Sequence, residues 1–568
     1  MTYRVITATL TTRTALHIGS GEGNDLTDAL LRRDAAGRPF IPGTAIAGAL
    51  RALLTRLAPR LGAQPCAALT GDTRPCHCAV CRLFGSVNPS DSAPETAPST
   101  ASRLLVFNAM PLDNLPHPFI RDGVGIDRTT GAAARAGAVK FDLEVLPAGT
   151  KFALRMELRD PSEADERLLA AGLAEWQEGR MWLGGRVARG LGALKLTDLE
   201  YRLFPLDEPE QLLAFLKDDR PWERAQPQPG WLPAQLQALK PLPCPDSPRG
   251  IARAWVTATG ILQAQGPLLT NDVTVSGIYG FDHAPLLAQW GDWRNPVLTG
   301  AGLRGVLRSH AERIARTLAT RIAEGKEEFL NRCPACSPVE SRPDAPLASC
   351  DALLRKGKVP SDEIVDESRL CLACRLFGST RRGSRLIVED APYHSADGKP
   401  PRLKMLDFLA IDRFTGGGAE GLKFDALALW KPAFTLRLHL DNPEPWELGW
   451  LALVLRDLAD GWLRVGFGAA KGFGQVILQD WRVTLGYLTP DDAPEVAELN
   501  LTPVKSGIYS AVTLTGGTSE WQRLAQKWVD AFHQQVTNFS RPSELALSED
   551  SYFGWVDALY PVWKGGAR

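Results

Sequence analysis

The chain has 568 residues, more than the roughly 100 to 200 of one domain, so at least two cores are expected. Hydrophobic residues make up 44% and charged residues 23%, and no apolar run reaches the roughly 18 to 20 residues of a membrane span, which excludes a membrane-spanning chain and general disorder. Lys and Arg number 64 against 65 Asp and Glu, a formal charge of −1, so any nucleic-acid surface must come from local patterning. The first twenty residues alternate polar and apolar positions and show no charged segment followed by an apolar one, so a cytoplasmic location is expected.

The alternation from Tyr3 to Leu10 predicts an opening strand. His17 follows it; a histidine on an alternating strand is more often a core residue than a base. Asp25 and Asp28 lie in the loop Gly19 to Asp28, where a carboxylate can hold a divalent metal, orient a ribose hydroxyl or simply form a turn. A helix is predicted over Ala45 to Leu57, capped by Thr44. Cys66, Cys76, Cys78 and Cys81 then offer four thiolates for one tetrahedral Zn²⁺, with His77 as a spare ligand; closed thiolate sites are structural. Lys151 to Leu158 alternates as a strand. The stretch Gly184 to Gly192 lets backbone N–H groups approach phosphates beside Arg189, and it is neither a Walker loop nor a dinucleotide fingerprint. Residues 205 to 248 hold ten prolines, which predicts a linker.

The series then recurs. Ala254 to Ile261 is a strand, Asp272 and Asp282 lie in a longer loop, and Phe434 to Leu440 alternates. Cys333, Cys336, Cys371 and Cys374 form two C-x2-C knuckles for a second zinc, with Cys350 left over. Five blocks match in the same order. Gly48-Ala49-Leu50-Arg51 matches Gly305-Val306-Leu307-Arg308, and Cys78-Ala79-Val80-Cys81-Arg82-Leu83-Phe84-Gly85-Ser86 matches Cys371-Leu372-Ala373-Cys374-Arg375-Leu376-Phe377-Gly378-Ser379. Ile126-Asp127-Arg128 matches Ile411-Asp412-Arg413, Lys140-Phe141-Asp142 matches Lys423-Phe424-Asp425, and Arg189-Gly190-Leu191-Gly192 matches Lys471-Gly472-Phe473-Gly474. The chain is therefore a tandem duplication of a mixed α+β unit. An unmatched tail follows, with a helix predicted over Ser519 to Val536 and an aromatic-rich end from Tyr552 to Trp563.

Leu16-His17-Ile18-Gly19-Ser20-Gly21, the run Leu31-Arg32-Arg33-Asp34 to Ile41-Pro42-Gly43-Thr44, and Gly48-Ala49-Leu50-Arg51 resemble the N-terminal signature of the RAMP superfamily, and the glycine stretch near Arg189 resembles its C-terminal loop. The cysteine knuckle and the Ile-Asp-Arg segment narrow the resemblance to the Cas-seven-type backbone subunits of type III CRISPR effector complexes, most like the subtype III-D fusion. That resemblance implies two tandem RRM-like, ferredoxin-type domains over 1–204 and 250–485, joined by the proline-rich linker 205–249 and followed by the extension 486–568. Each would carry a zinc-binding insertion and a β-hairpin thumb, placed at Ile126 to Phe141 and Ile411 to Phe424.

The implied activity is binding of CRISPR guide RNA and metal-dependent cleavage of complementary target RNA at fixed intervals. Mg²⁺ or another divalent ion would assist the target's own 2′-OH in attacking the adjacent phosphate. The family's acidic loop residue falls on Asp28, six positions before Asp34 and in the same loop as Asp25; Asp282 takes that place in the second copy. Phosphate contacts are expected from Arg51, Arg128, Lys140, Arg189, Arg308, Arg413, Lys423 and Lys471. Partners would be guide RNA, target RNA and other effector subunits, with no membrane. Two alternatives stand beside this reading: a non-catalytic guide-binding scaffold, and a guide-maturation ribonuclease with His17 as base.

Overall fold

The computed structural model describes residues 2–66, 76–86, 99–112, 116–134, 140–244, 250–290, 293–499, 501–552 and 554–562. Residues 135–139 of the first expected thumb, Pro245 and Pro248 of the expected linker, and Trp563 lie outside this set.

The first repeat is built on β1 (Thr2–Thr12), β2 (Phe119–Val124), β3 (Lys140–Val145), β4 (Lys151–Leu158) and β5 (Ala193–Pro205), with α1 (Gly43–Leu57) and α2 (Glu163–Gln177). The alternating β1 is central: it pairs antiparallel with β4 on one side and β5 on the other, and a bulge between Thr7 and Thr9 re-aims its second half. Ile46, Leu50, Leu54 and Leu57 recur at helical spacing on α1 and are buried against Leu168, Leu169 and Leu173 of α2 and the sheet. Thr44 does not cap α1. The helix starts at Gly43, whose N–H is satisfied by Asn108 Oδ1 at 2.9 Å.

The second repeat repeats this plan with β6 (Ala254–Ala264), β7 (Leu403–Ile411), β8 (Gly418–Trp430), β9 (Ala433–Asp441) and β10 (Val476–Tyr487), plus α3 (Gly300–Ile322) and α4 (Pro445–Ala459). Strand β6 pairs with β9 and β10 and carries its bulge at the corresponding place, between Thr259 and Ile261. Here the helix cap is a side chain, with Thr299 Oγ1 accepting from Gly302 N.

The expected linker is folded. Pro209 and Pro221 each start a short helix, where the missing N–H costs nothing. Trp231 is buried, stacks on Tyr201 at 4.3 Å, and donates from Nε1 to Glu166. The tail is likewise part of the second core. Strand β11 (Tyr509–Thr515) extends the sheet beside β10, and α5 (Ser519–Asn538) packs along α4 through Trp521, Leu524, Trp528, Phe532 and Val536. Each such side chain contributes about 1.5 to 3 kcal/mol when buried.

The two repeats meet across ion pairs of one polarity, arginine from the first and a buried acid from the second. Arg13 meets Glu389 at 2.5 Å, Arg121 meets Asp390 at 2.7 Å, and Arg128 meets Glu312 at 3.0 Å. The fully buried Arg60 meets Asp492 at 2.7 Å and donates to the carbonyls of Leu242 and Ala252. Such pairs fix register more than they add stability, because each acid has lost its water.

Candidate functional site

In each repeat one loop, one hairpin and one glycine stretch converge. The hairpins are β2–β3 and β7–β8; they extend to either side of the segments expected as thumbs. Their tips are alike: Asp127 Oδ1 accepts from Thr129 N and Thr130 N, and Asp412 Oδ1 accepts from Phe414 N and Thr415 N.

At the hairpin base, Asp28 N donates to Asp142 Oδ1 at 2.8 Å while Asp142 N donates to Asp28 Oδ2 at 2.9 Å. The second repeat has the same exchange, Asp282 N to Asp425 Oδ1 and Asp425 N to Asp282 Oδ2, both at 2.9 Å. The chain continues identically beyond: Ala29 bridges Leu143 in parallel, and His283 bridges Ala426. Asp282 is therefore the positional counterpart of Asp28, although the spacing around Trp290 to Trp293 differs; there Leu287–Trp290 and Trp293–Leu298 form a strand pair. Each pair brings two carboxylates together on the exposed side of the hairpin, with one oxygen of each held by a backbone donor. Asp25 makes no hydrogen bond to this pair; its neighbour Asn24 organises the turn by accepting from Leu26 N and Thr27 N. Asp34 is spent on its own turn. Backbone and side-chain donors of Arg38 hold its carboxyl below the usual carboxylate range.

Beside each pair lies an aromatic ring capped by a cation. Phe141 carries Arg186 at 4.4 Å and Arg189 at 5.5 Å over its face, and Phe424 carries Lys471 at 4.0 Å. The glycine stretches make this possible by turning through left-handed conformations at Gly184, Gly190 and Gly192, and at Gly466, Gly472 and Gly474. Gly190 lies against Gly300 at the start of α3, where any side chain would collide with that backbone. The first repeat's loop is thus pressed onto the second repeat's helix. Arg189 and Arg304 meet there. Burial, then Arg308 and Arg189, push Arg304 down to about 9, and burial, then Arg186 and Arg308, lower Arg189. A crowded set of cations of this kind favours an anionic ligand.

His17 is buried beneath the same loop. Its Nδ1 contacts the Glu144 carbonyl at 2.7 Å and its own carbonyl accepts from Gly185 N, a positioning role.

The other expected RNA contacts divide. Lys140 and Arg413 are exposed, and Lys423 is exposed beside Asp407 at 3.2 Å. Arg128 is withdrawn onto Glu312, and Arg308 is buried. Arg308 donates to Glu312 at 2.8 Å, to the Gly378 carbonyl at 3.0 Å and to Cys374 Sγ at 3.5 Å; Arg51 likewise reaches Cys81 Sγ at 3.6 Å. These two arginines serve a cysteine site, not an exposed phosphate surface.

Each repeat gathers four cysteines whose sulfurs lie within 4.8 Å of one another: Cys66, Cys76, Cys78 and Cys81, and Cys336, Cys350, Cys371 and Cys374. The second set corrects the expected one. Cys333 ends the helix Lys326–Arg332 and its thiol donates to the Ala335 carbonyl, while Cys350, at the start of a short helix, takes the fourth place. Separations of 3.7 Å between Cys66 and Cys81 and 3.4 Å between Cys336 and Cys374 are close to the roughly 3.8 Å edge of a tetrahedron with 2.3 Å metal–sulfur bonds. Four thiolates are anionic, and the Arg51 and Arg308 guanidiniums supply N–H donors to that charge. The donor set and its partners fit a thiophilic cation such as Zn²⁺.

The residues that spacing alone missed are Asp142, Asp425 and Arg186. The signal for the two aspartates was present, since the Lys-Phe-Asp block recurs in both copies.

Two curated proteins are similar to part of the chain. One is a CRISPR system Cms endoribonuclease Csm3 of Methanothermobacter thermautotrophicus, 26% identical over 233 residues, 36% of this chain and 87% of that protein. The other, of the same name, is from Methanocaldococcus jannaschii, 29% identical over 199 residues, 33% of this chain and 75% of that protein. No helix among the described residues is long and apolar enough to cross a membrane. A sequence profile of the RAMP superfamily matches residues 9–195 and again 284–477, and with one match on each structural repeat the chain belongs to that superfamily as a tandem member.

Proposed function

We propose that the chain is a backbone subunit of a type III CRISPR effector complex that binds guide RNA and cuts complementary target RNA once per repeat. The observation that carries this reading is the recurrence of one constellation: Asp28 with Asp142 beside the Arg189-capped Phe141, and Asp282 with Asp425 beside the Lys471-capped Phe424. The similarity to two proteins named as CRISPR endoribonucleases supports it.

In this reading Arg186, Arg189, Arg304 and Lys471 hold the sugar–phosphate backbone, and base pairing supplies sequence choice. The exposed hairpins, with Phe414 wholly uncovered at the second tip, interrupt the guide–target duplex and splay the target strand over the carboxylates. The target 2′-OH attacks the neighbouring phosphorus and the P–O5′ bond breaks, giving a 2′,3′-cyclic phosphate and a 5′-hydroxyl. A divalent cation held by the paired aspartates would supply charge stabilisation at the phosphate. Zn²⁺ in the two four-cysteine sites would be structural, with no coordination place left for substrate.

The test is a cut map. Protein assembled with guide RNA and neighbouring subunits is given end-labelled complementary RNA with Mg²⁺ or EDTA, as wild type, Asp28→Ala and Asp282→Ala. Each substitution is expected to remove one metal-dependent cut. Survival of every cut in both variants would leave the chain a guide-binding scaffold. Metal-independent cutting of precursor RNA would instead favour the guide-maturation reading, with His17 Nε2 as base and Nδ1 engaged by the Glu144 carbonyl.

A further inference from the structure

The two sites differ in one cation and one histidine. Shared backbone contacts align their glycine stretches: Gly185 N donates to the His17 carbonyl at 2.9 Å, and Phe467 N to the Leu269 carbonyl at 2.7 Å. Phe467 therefore stands at the place of Gly185, Gly468 at the place of Arg186, and Lys471 at the place of Arg189. Arg186 and Gly468 both turn through the left-handed region, at φ 62° and 77°, so the backbone is kept while the guanidinium is lost. The first repeat sets two cations over Phe141. Among the described residues, the second sets Lys471 alone, over Phe424 at 4.0 Å and Phe467 at 5.7 Å.

The histidines differ in the opposite sense. The same contacts put Leu269, fully buried, where the first repeat has His17. His283 bridges Ala426 as Ala29 bridges Leu143, so the second repeat has a histidine where the first has an alanine. The His283 ring stands against Phe467 at 4.4 Å and edge-on to Phe424 at 5.9 Å, the two rings that carry Lys471.

His17 spends Nδ1 on the Glu144 carbonyl at 2.7 Å. His283 spends neither nitrogen. Its Nδ1 is turned inward without a hydrogen-bond partner, and among the described residues Nε2 has none either, although the ring is only half-buried. An imidazole set in an aromatic wall loses hydration and gains no hydrogen bond from its apolar neighbours, so the position calls for a polar ligand from outside the chain.

We propose that His283 binds an RNA phosphate together with Lys471, as the second repeat's replacement for Arg186. An imidazole N–H donates to a phosphate oxygen, and Lys471 Nζ beside the same two rings supplies the charge. The residue before His283 is Asp282, so the contact fixes the strand next to the paired carboxylates. It rests on the RNA-binding part of the function proposed above and not on cleavage.

The experiment uses the chain assembled with guide RNA and neighbouring subunits, with thermal unfolding run on every variant. His283→Phe keeps the ring packing and removes both nitrogens. It is expected to slow the second-repeat cut about tenfold in single turnover, with the first-repeat cut unchanged as an internal control. Single methylphosphonate linkages, each removing one phosphate charge, are then placed at successive positions of the target or of the guide. At one position the neutral linkage is expected to slow wild type and to have no further effect on His283→Phe; the strand that carries it identifies the source of the phosphate. Adding Gly468→Arg, which copies Arg186, is expected to recover most of the lost rate, and the methylphosphonate result decides the matter if that double variant folds poorly. RNA affinity in an Asp282→Ala background reads the same coupling without cleavage, so a failed nuclease reading and a failed histidine contact give different results. The proposal is overturned if folded His283→Phe protein keeps its second cut and its RNA affinity, or if its loss adds to that of every neutral linkage in both strands. A folded double variant no faster than His283→Phe overturns it as well.

Discussion

Asp28 and Asp142 exchange hydrogen bonds in both directions, each carboxylate accepting from the other's backbone N–H at 2.8 and 2.9 Å. The exchange locks the loop to the hairpin and places two negative groups side by side at an exposed edge. Each carboxylate keeps one oxygen that these two backbone bonds do not use. The arrangement offers oxygen donors to a cation beside the Arg189 and Lys471 side chains, with Asp122 across the hairpin from Asp142 and Asp407 across from Asp425.

Asp142→Asn separates the electrostatic role from the positional one, because the amide oxygen still accepts from Asp28 N. The cut assigned to the first repeat is expected to slow by about 10²-fold or more, while the cut assigned to the Asp282–Asp425 pair keeps its wild-type rate. Single-turnover rates at each cut position give the comparison. An unchanged first cut would make Asp142 a turn residue only.

Arg308→Met removes the donor to Cys374 Sγ and to Glu312 inside a buried network. Breaking a buried ion pair costs about 3 to 5 kcal/mol, and the loss here falls at the lower end because Arg128 and Arg316 still reach Glu312. Arg51→Met takes away one N–H···S contact and no ion pair, so it should cost about 1 kcal/mol. Urea unfolding of the two variants gives the ranking, and zinc retention after dialysis should follow it.

Metal content decides between the two readings of the second cysteine site. Cys350→Ser is expected to lower zinc from two ions per chain to one, whereas Cys333→Ser keeps both, since its thiol lies outside the group of four. Elemental analysis of purified protein gives the number directly. Loss of metal in the Cys333 variant would restore the knuckle assignment.

The contrast between Cys333 and Cys350 marks where sequence reading stopped. Two C-x2-C pairs of equal spacing look alike, and the choice is made by the helix that begins at Cys350 and by Arg541 of the tail, which donates to the Cys333 carbonyl from 208 residues away. The duplicated strands and α1 with its Leu50 and Leu54 stripe were legible because local period and repeat spacing carry them, whereas Asp28 was singled out only through the family resemblance. Asp142 was visible as a repeated residue but not as a partner, since its contact with Asp28 spans 114 positions. Arg308 reads as a solvated helix residue with Glu312 four places on. Its long-range partners are Cys374, Phe377 and Gly378 of the cysteine segment, some 66 to 70 positions on, contacts with no local signature. The prolines of the inter-repeat segment pointed to a linker because density was counted without position; at the first turn of a helix proline is tolerated.

Asp390 ties the repeats together and sets a pH dependence. Burial raises its carboxyl above the ordinary range, against the opposing pull of Arg121 and the Gly300 N–H. An acid whose folded value is raised binds its proton more tightly in the native state. Its contribution to stability is therefore fully present below the unfolded value of about 3.9 and is lost as pH rises through the folded value. Asp390→Asn has no such titration, and it copies Asn108 of the first repeat, which caps Gly43 as Asp390 caps Gly300. The stability of wild type relative to Asp390→Asn should thus fall as pH rises from about 4, then level off once Asp390 is ionised in both states. Urea unfolding of both proteins at half-unit steps between about pH 3.5 and 7 reads this difference. A difference that grows with pH would mean that the Arg121 pair outweighs burial and that the Asp390 carboxyl is lowered in the folded chain.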